Sequence, residues 1–389
     1  MRIRRCGIVL FEPRESVEFD LMSLFKGGAG LSRSIRWLAL APHLDTEVEV
    51  TELEREILGG ISPEEWVEKK SLTHDASAID ALLKKGLLIG DAKAHAVARE
   101  KDEKLRSLYW WPIAALAHKF GRWEGLDSVA AMESNKMTTA AELRDKLGSP
   151  PPEVVSRAVD DKSLPLPRQE VDAYEKIMNA RVTCRNFDKE RSLSINMFAR
   201  MMQRVVMAQG IVRVQDDTAF IKKNIPSGGG LHPCEAYVIA QRIEGIAPGI
   251  YHYHPVNHAL ELIATPPGSL ADLTKEMLAG QHWFADAPVQ LILAPRYKRS
   301  FWKYRMHAKA YRAVILDVGH LSQAIYMSAT EMGLGAFVTS AINEVNIEKS
   351  VGLDSLAEGP LAICGFGWRA ESMVTTEFDP LNGVWNKAD

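Results

Sequence analysis

Two arginines and a hydroxyl stand within five residues at Arg181-Val-Thr-Cys-Arg185, and three glycines run together inside Pro226-Ser-Gly-Gly-Gly-Leu-His-Pro-Cys-Glu-Ala-Tyr237. Two forked guanidinium groups with the Thr183 hydroxyl suit a phosphate, because bidentate Arg contacts are short and charge-assisted. The same residues also suit a solvated basic turn. Without Cβ atoms, Gly228, Gly229 and Gly230 can take positive φ and let the backbone approach a flat or anionic ligand. Glycine runs serve surface turns and bulges as well. His232 reads as a loop residue packing against Pro233. The four cysteines, Cys6, Cys184, Cys234 and Cys364, lie far apart with no CxxC or Cys/His cluster. Neither a zinc site nor a disulfide framework follows from that spacing, and the thiols read as reduced in a cytoplasm. No residue pattern requires a metal.

Elements of α+β type surround these residues. Ser194 to Gln209 reads as a helix with an N-cap serine and a glycine stop, and Asp172 to Asn179 as another. Ala236-Tyr-Val-Ile-Ala, Gly249-Ile-Tyr-His-Tyr and Ala259-Leu-Glu-Leu-Ile read as an antiparallel meander, and Val289-Gln-Leu-Ile-Leu-Ala as a buried strand. Ala308 to Met332 is a long helix with Val314, Val318, Leu321, Ile325, Ala329 and Met332 on one face, stopped at Gly333. Gly335-Ala-Phe-Val-Thr and Leu361-Ala-Ile-Cys-Gly-Phe supply the last strands. No strand-GxGxxG-helix unit of a dinucleotide fold is present.

The prolines at Gly148-Ser-Pro-Pro-Pro-Glu and Leu164-Pro-Leu-Pro-Arg168 favour an extended linker, predicting domains over 1–147 and 169–389 with a linker over 148–168. In the first domain, residues 1–11 read as an edge strand and Leu53 to Gly60 as a short helix. Ser62-Pro-Glu-Glu reads as the start of a second helix, and Ile79-Asp-Ala-Leu-Leu-Lys-Lys-Gly-Leu-Leu-Ile as a helix entering a strand. This order predicts a winged helix. Its helices are mostly acidic where a DNA reader needs a basic face, so a peptide-binding or structural wing is expected. Residues 105–120 are apolar at helical spacing, with Pro112 restarting the helix. Trp110 and Trp111 read as core.

With 389 residues the chain can carry two cores. It is 46% apolar and 25% charged with net charge -3, an ordinary globular composition without the basic field that nucleic acid attracts. No segment reaches the roughly 20 apolar residues of a bilayer span.

The order Arg181-Val-Thr-Cys-Arg-Asn-Phe, Ala208-Gln-Gly, Pro226 to Tyr237, Gly249-Ile-Tyr-His-Tyr, Lys303-Tyr304, Ala310-Tyr-Arg-Ala-Val-Ile-Leu-Asp-Val-Gly-His-Leu-Ser-Gln and Gly333-Leu-Gly resembles the FMN-dependent nitroreductase superfamily. More closely, it resembles the SagB-type branch of peptide-maturation dehydrogenases, the azoline oxidases. The resemblance spans residues 165–370. It implies a nitroreductase-like FMN-binding sandwich of mixed or antiparallel sheet flanked by helices, forming a homodimer with FMN at the subunit interface. By position, Arg181, Thr183 and Arg185 fall on the family's Arg-Arg-Ser-x-Arg phosphate motif. Val182 replaces its second Arg, and Thr183 its Ser. Ser227, Gly228, Gly229, Gly230 and Leu231 would lie along the flavin, Gly333, Leu334 and Gly335 would approach it after the long helix, and Arg369 would join the phosphate site.

Lys303-Tyr304 matches the pair assigned to substrate deprotonation in azoline oxidases. Aromatising an azoline removes a proton from Cα and a hydride from the neighbouring carbon, so a base must accompany the flavin. The plainer reading is a basic loop before the helix, and His307 and Tyr311 are alternative proton carriers. The resemblance thus implies a cytoplasmic oxidoreductase that acts on a ribosomally made peptide beside a cyclodehydratase. Two alternatives use the same fold: reduction of a dehydroamino acid with NAD(P)H, or a non-catalytic scaffold in a modification complex. A transcription factor is disfavoured by the acidic wing.

Overall fold

A computed structural model describes residues 1–158 and 162–385. It divides into two compact units, Met1–Arg122 with Tyr297–Arg312, and Trp123–Arg296 with Ala313–Asp389.

The first unit holds strands β1 (Arg2–Arg5), β2 (Leu10–Phe19), β3 (Leu31–Leu40), β4 (Val48–Val50), β5 (Val67–Glu68) and β6 (Leu88–Gly90). One sheet has the order β5-β1-β6 and another β2-β3-β4. The first strand is therefore central rather than an edge: Ile3 faces Val67 on one side and Gly90 on the other, and its side chain is fully buried. Thr51 caps the helix Glu52–Gly60 in a capping box with Glu54. The helix Ala76–Lys84 ends before Gly86, whose φ of 73° turns the chain into β6. Ser62 does form cap bonds, accepting from Glu64 N and Glu65 N at 3.1 Å, yet no helix follows. The chain instead extends into β5, because Val67 pairs with Ile3 across β1. Helices Ala96–Arg106 and Pro112–Phe120 are separate, with Pro112 in the first turn of the second. The returning segment Tyr297–Arg312 packs Tyr297, Phe301 and Tyr311 around Trp110, with ring centroids 4.6, 4.7 and 5.4 Å away.

In the second unit, β7 (Gly210–Gln215) and β8 (Thr218–Lys222) make a hairpin. The main sheet joins β9 (Cys234–Ala240), β10 (Gly249–His254), β11 (Ala259–Ala264), β12 (Val289–Pro295), β13 (Gly335–Thr339) and β14 (Ala362–Gly367) in the order β11-β10-β9-β12-β14-β13. Every pairing in it is antiparallel. Because strand side chains alternate, Ala236, Val238, Leu291 and Leu293 enter one core and Tyr237, Ile239 and Ile292 the other. The first core is covered by Phe198, Met201 and Val205 of the helix Ile195–Val205 and by Val318, Leu321, Ile325 and Ala329 of the helix Ala310–Glu331. The second is covered by Met277, Phe284 and Ile347 from three shorter helices. This is a sheet sandwiched between helices.

The expected break at 148 does not coincide with the compact units, whose division falls at Arg122. The reason is hydrogen bonding: Trp123 N donates to Glu344, Leu126 N to Asn343 Oδ1, and Ser128 N to the carbonyl of Ala279, which ties 123–128 to the second unit. Residues 149–158 and 162–172 form neither helix nor strand, and 159–161 of the expected linker lie outside the described residues. Among the described residues, no helix is long and apolar enough to cross a membrane.

Candidate functional site

The helix Ala173–Asn179 releases the chain into an extended run over 181–187. Thr183 bridges Ala336 in parallel, Cys184 N donates to the Ala336 carbonyl at 2.8 Å, and Phe187 bridges Arg369. The period of two then sorts the side chains. Val182, Cys184 and Asn186 are buried, whereas Arg181, Thr183 and Arg185 are half-buried on the opposite side. The three residues expected at a phosphate thus alternate with the buried ones, Arg185 Nη1 also donating to the Thr376 carbonyl at 3.4 Å, and the departure at Val182 lies on the buried face.

Thr183 is oriented by Tyr326, whose hydroxyl lies 3.0 Å from Thr183 Oγ1 and accepts from Val338 N at 3.1 Å. Either hydroxyl can donate in this pair, and the bond fixes the position of Thr183 Oγ1 on the strand. Burial raises the Tyr326 pKa above its ordinary value, which keeps its hydroxyl protonated. The Arg181 guanidinium stands 5.3 Å from the Tyr326 ring centroid. Arg369 is engaged at its place: one limb pairs with Glu377, and the other donates to the Val182 carbonyl at 2.8 Å.

The glycine loop is held from the long helix. Asp317, 4% exposed, accepts Ser227 Oγ–H at 2.5 Å and Gly228 N–H at 2.9 Å, and Ser227 Oγ accepts His232 N–H at 2.9 Å. Gly229 and Gly230 have φ of 65° and 70°, a conformation glycine adopts without strain, and a Cβ on Gly228 would stand 3.3 Å from the Ala313 Cβ. Around Gly230, by contrast, a Cβ would meet nothing within 4 Å. Leu231 and His232 are buried. Behind the loop, Lys223, Ser227, His232, Cys234 and Asp317 line a cavity of about 10 Å³, room for one water. Burial lowers the Lys223 pKa.

At the far end of the long helix, Gly333 has φ of 73° and Leu334 N donates back to the Ala329 carbonyl at 2.8 Å. Leu334 is buried, and Gly335 lies against Cys184, where a Cβ would come within 2.6 Å of its Sγ. The structure therefore brings 181–185, 333–335 and Arg369 together. Asp317 and Tyr326 connect this group to the glycine loop through one helix, nine residues or about 13 Å apart along its axis.

Lys303 and Tyr304 follow the short helix Tyr297–Phe301 in the first unit, whereas the remaining candidates belong to the second. Lys303 is exposed, with Nζ 5.4 Å from the Tyr304 ring centroid. Met306 N donates to the Tyr109 carbonyl at 3.0 Å, and both residues hold positive φ, 52° and 60°. Of the alternative proton carriers, His307 accepts from Lys309 N at 3.1 Å, and the Tyr311 hydroxyl lies 3.1 Å from His118 Nδ1.

Sequence reasoning assigned no role to Asp317, Tyr326, Lys223 or Glu377. Asp317 carried a readable signal, a carboxylate beside Val318 on the apolar stripe, but Glu377 carried none. Among the described residues, no cluster of three or more His, Cys, Asp or Glu could hold a metal.

Residues 178–368 match the nitroreductase family. The chain is 31% identical over 158 residues to a protein named as a nitroreductase from Methanocaldococcus jannaschii, covering 41% of this chain and 75% of that one. It is 27% identical over 172 residues to the trifolitoxin-processing protein TfxB of Rhizobium leguminosarum bv. trifolii, covering 44% of this chain and under half, 46%, of that relative. The Escherichia coli microcin synthetase McbBCD complex with truncated pro-MccB17 bound contains a chain of the same fold, with TM-score 0.50 and 19% identity over 69% of this chain and 97% of that one. With these matches and its antiparallel sheet between helices, this chain belongs to the nitroreductase family.

Proposed function

We propose that the protein is an FMN-dependent oxidoreductase of ribosomally made peptides that dehydrogenates azolines to azoles. One observation carries the cofactor: the strand presenting Arg181, Thr183 and Arg185 and the loop Ser227–Leu231 are fixed to the same helix about 13 Å apart, a frame for a ligand with an anionic end and a flat end. The peptide class is supported by the similarity to a toxin-processing relative.

In this reading Arg181 and Arg185 receive the phosphate as forked donors, and Thr183 adds its hydroxyl hydrogen. Asp317 keeps the glycine loop open for a planar ring by holding Ser227 and Gly228. Bound FMN supplies a hydride acceptor. The Lys303-Tyr304 pair takes the Cα proton of the azoline, an assignment made on motif order. Oxygen is the terminal acceptor, so each ring loses two hydrogens. The protein works as a homodimer in the cytoplasm beside a cyclodehydratase, and its N-terminal winged-helix-like domain holds the leader peptide or that partner.

The test is mass spectrometry of an azoline peptide incubated with the purified protein and air, beside Lys303→Ala. A loss of about 2 Da per ring with the wild type alone supports both the reaction and the base. No loss, but a gain of about 2 Da on a dehydroamino acid peptide with NADPH, transfers the protein to the reductases and leaves Lys303 without this role.

A further inference from the structure

The buried face of the 181–186 strand is gripped at each alternate residue. Arg369 donates to the Val182 carbonyl at 2.8 Å, and Cys184 N donates to Ala336. Asn186 binds the C-terminal tail: its Oδ1 accepts Val374 N and Thr375 N at 2.8 and 2.7 Å, and its Nδ2 donates to the Thr375 carbonyl at 2.7 Å. At the centre stands Glu377, whose side chain is 0% exposed. Its Oε1 accepts Arg185 N at 2.6 Å, Asn186 N at 3.0 Å and Asn186 Nδ2 at 2.8 Å. Its Oε2 accepts Trp385 Nε1–H at 2.8 Å and pairs with Arg369. Burial alone would raise the Glu377 pKa, but these donors and the Arg369 charge outweigh it and hold the carboxyl ionised, below its ordinary value.

A buried carboxylate beside an anion site is electrostatically wrong unless it has another task. Here it neutralises Arg369 and collects two successive backbone N–H groups, so both its charge and its lone pairs are spent behind the strand. We infer that Glu377, with Arg369, is a positioning residue that fixes the face on which Arg181, Thr183 and Arg185 meet an anion, while Arg369 itself does not touch the ligand. This rests on the reading that those three residues bind the flavin phosphate.

The experiment compares FMN with riboflavin, which lacks the phosphate, by flavin fluorescence titration of the apoprotein in wild type, Arg185→Ala, Glu377→Gln and Glu377→Ala. The ratio of riboflavin to FMN dissociation constants isolates the phosphate contribution. Losing the preorganised strand should lower this ratio roughly tenfold in Glu377→Ala and less in Glu377→Gln, with riboflavin binding unchanged within about twofold. A merely structural Glu377 would weaken both ligands equally and leave the ratio intact, overturning the inference. A higher ratio in Glu377→Gln would also overturn it, because the freed Arg369 would then be a direct ligand. If the wild type does not prefer FMN, or Arg185→Ala keeps the preference, the phosphate reading itself fails and the inference falls with it.

Discussion

Replacing Asp317 by alanine removes both bonds that attach the glycine loop to the long helix, those to Ser227 Oγ at 2.5 Å and Gly228 N at 2.9 Å. A hydrogen bond to a charged group contributes about 1.5–3 kcal/mol, and the half-exposed loop places these at the low end, so the local cost is about 3 kcal/mol. At 1.4 kcal/mol per factor of ten, local opening should become roughly a hundredfold more frequent. Hydrogen exchange read by mass spectrometry on a peptide spanning 226–233 measures this directly, and it avoids a global unfolding fit in a protein of two compact units. His232 reports as well, because its amide donates to Ser227 Oγ, which Asp317 orients. Asp317→Asn, which keeps an acceptor for Gly228 N, should show about half the effect in free energy. Exchange in Asp317→Ala within about threefold of wild type would mean that the turn holds itself, and the account of Asp317 would be wrong.

Two further outcomes follow from contacts in the second unit. His252 lies between Glu235 at 3.2 Å and Glu261 at 2.8 Å, and the Glu235 hydrogen bond, working against burial, raises its pKa from 6.5 to about 8. Because the folded state favours the protonated ring, this stabilisation is fully present below pH 6.5 and is lost as pH rises through about 8. The melting temperature should decline across that window in the wild type but not in His252→Gln, and an NMR titration of the ring should show the raised midpoint. Gly335→Ala would place a Cβ 2.6 Å from Cys184 Sγ and 2.8 Å from Cys184 Cβ, costing about 1–3 kcal/mol by overpacking. Thermal melting should fall, and adding Cys184→Ala should recover part of the loss; an unchanged melting point would contradict the close approach.

Period and punctuation made most of the second unit legible. The apolar runs of β9 and β12 could only be buried strands, and the stripe from Val314 to Ala329 could only be a core helix. The ribbon of β2 and β3 was not legible, because Pro13 and the charges of Glu12, Arg14 and Glu15 break the strand pattern. Proline is tolerated there since β2 lies at the edge of its sheet. Ser62-Pro-Glu-Glu carried a genuine cap, but β-pairing with Ile3 overrode the local preference. In the candidate site, the types of Arg181, Thr183 and Arg185 suggested an anion site, and their alternation along the strand follows from a period of two. Glu377 was invisible because its partners Arg185 and Asn186 lie some 190 positions earlier in the chain. Local sequence holds no trace of such a contact.

The return of Tyr297–Arg312 to the first unit has a consequence for how the protein is made. Trp110 leaves the ribosome long before Tyr297, Phe301 and Tyr311, the rings that enclose it. At about 5–20 residues per second, translation from Arg122 to Arg312 takes on the order of tens of seconds, during which the first-made part of the chain cannot close its core around Trp110. Birth order and folding order are therefore uncoupled: the unit that emerges first is finished only after most of the other has been synthesised.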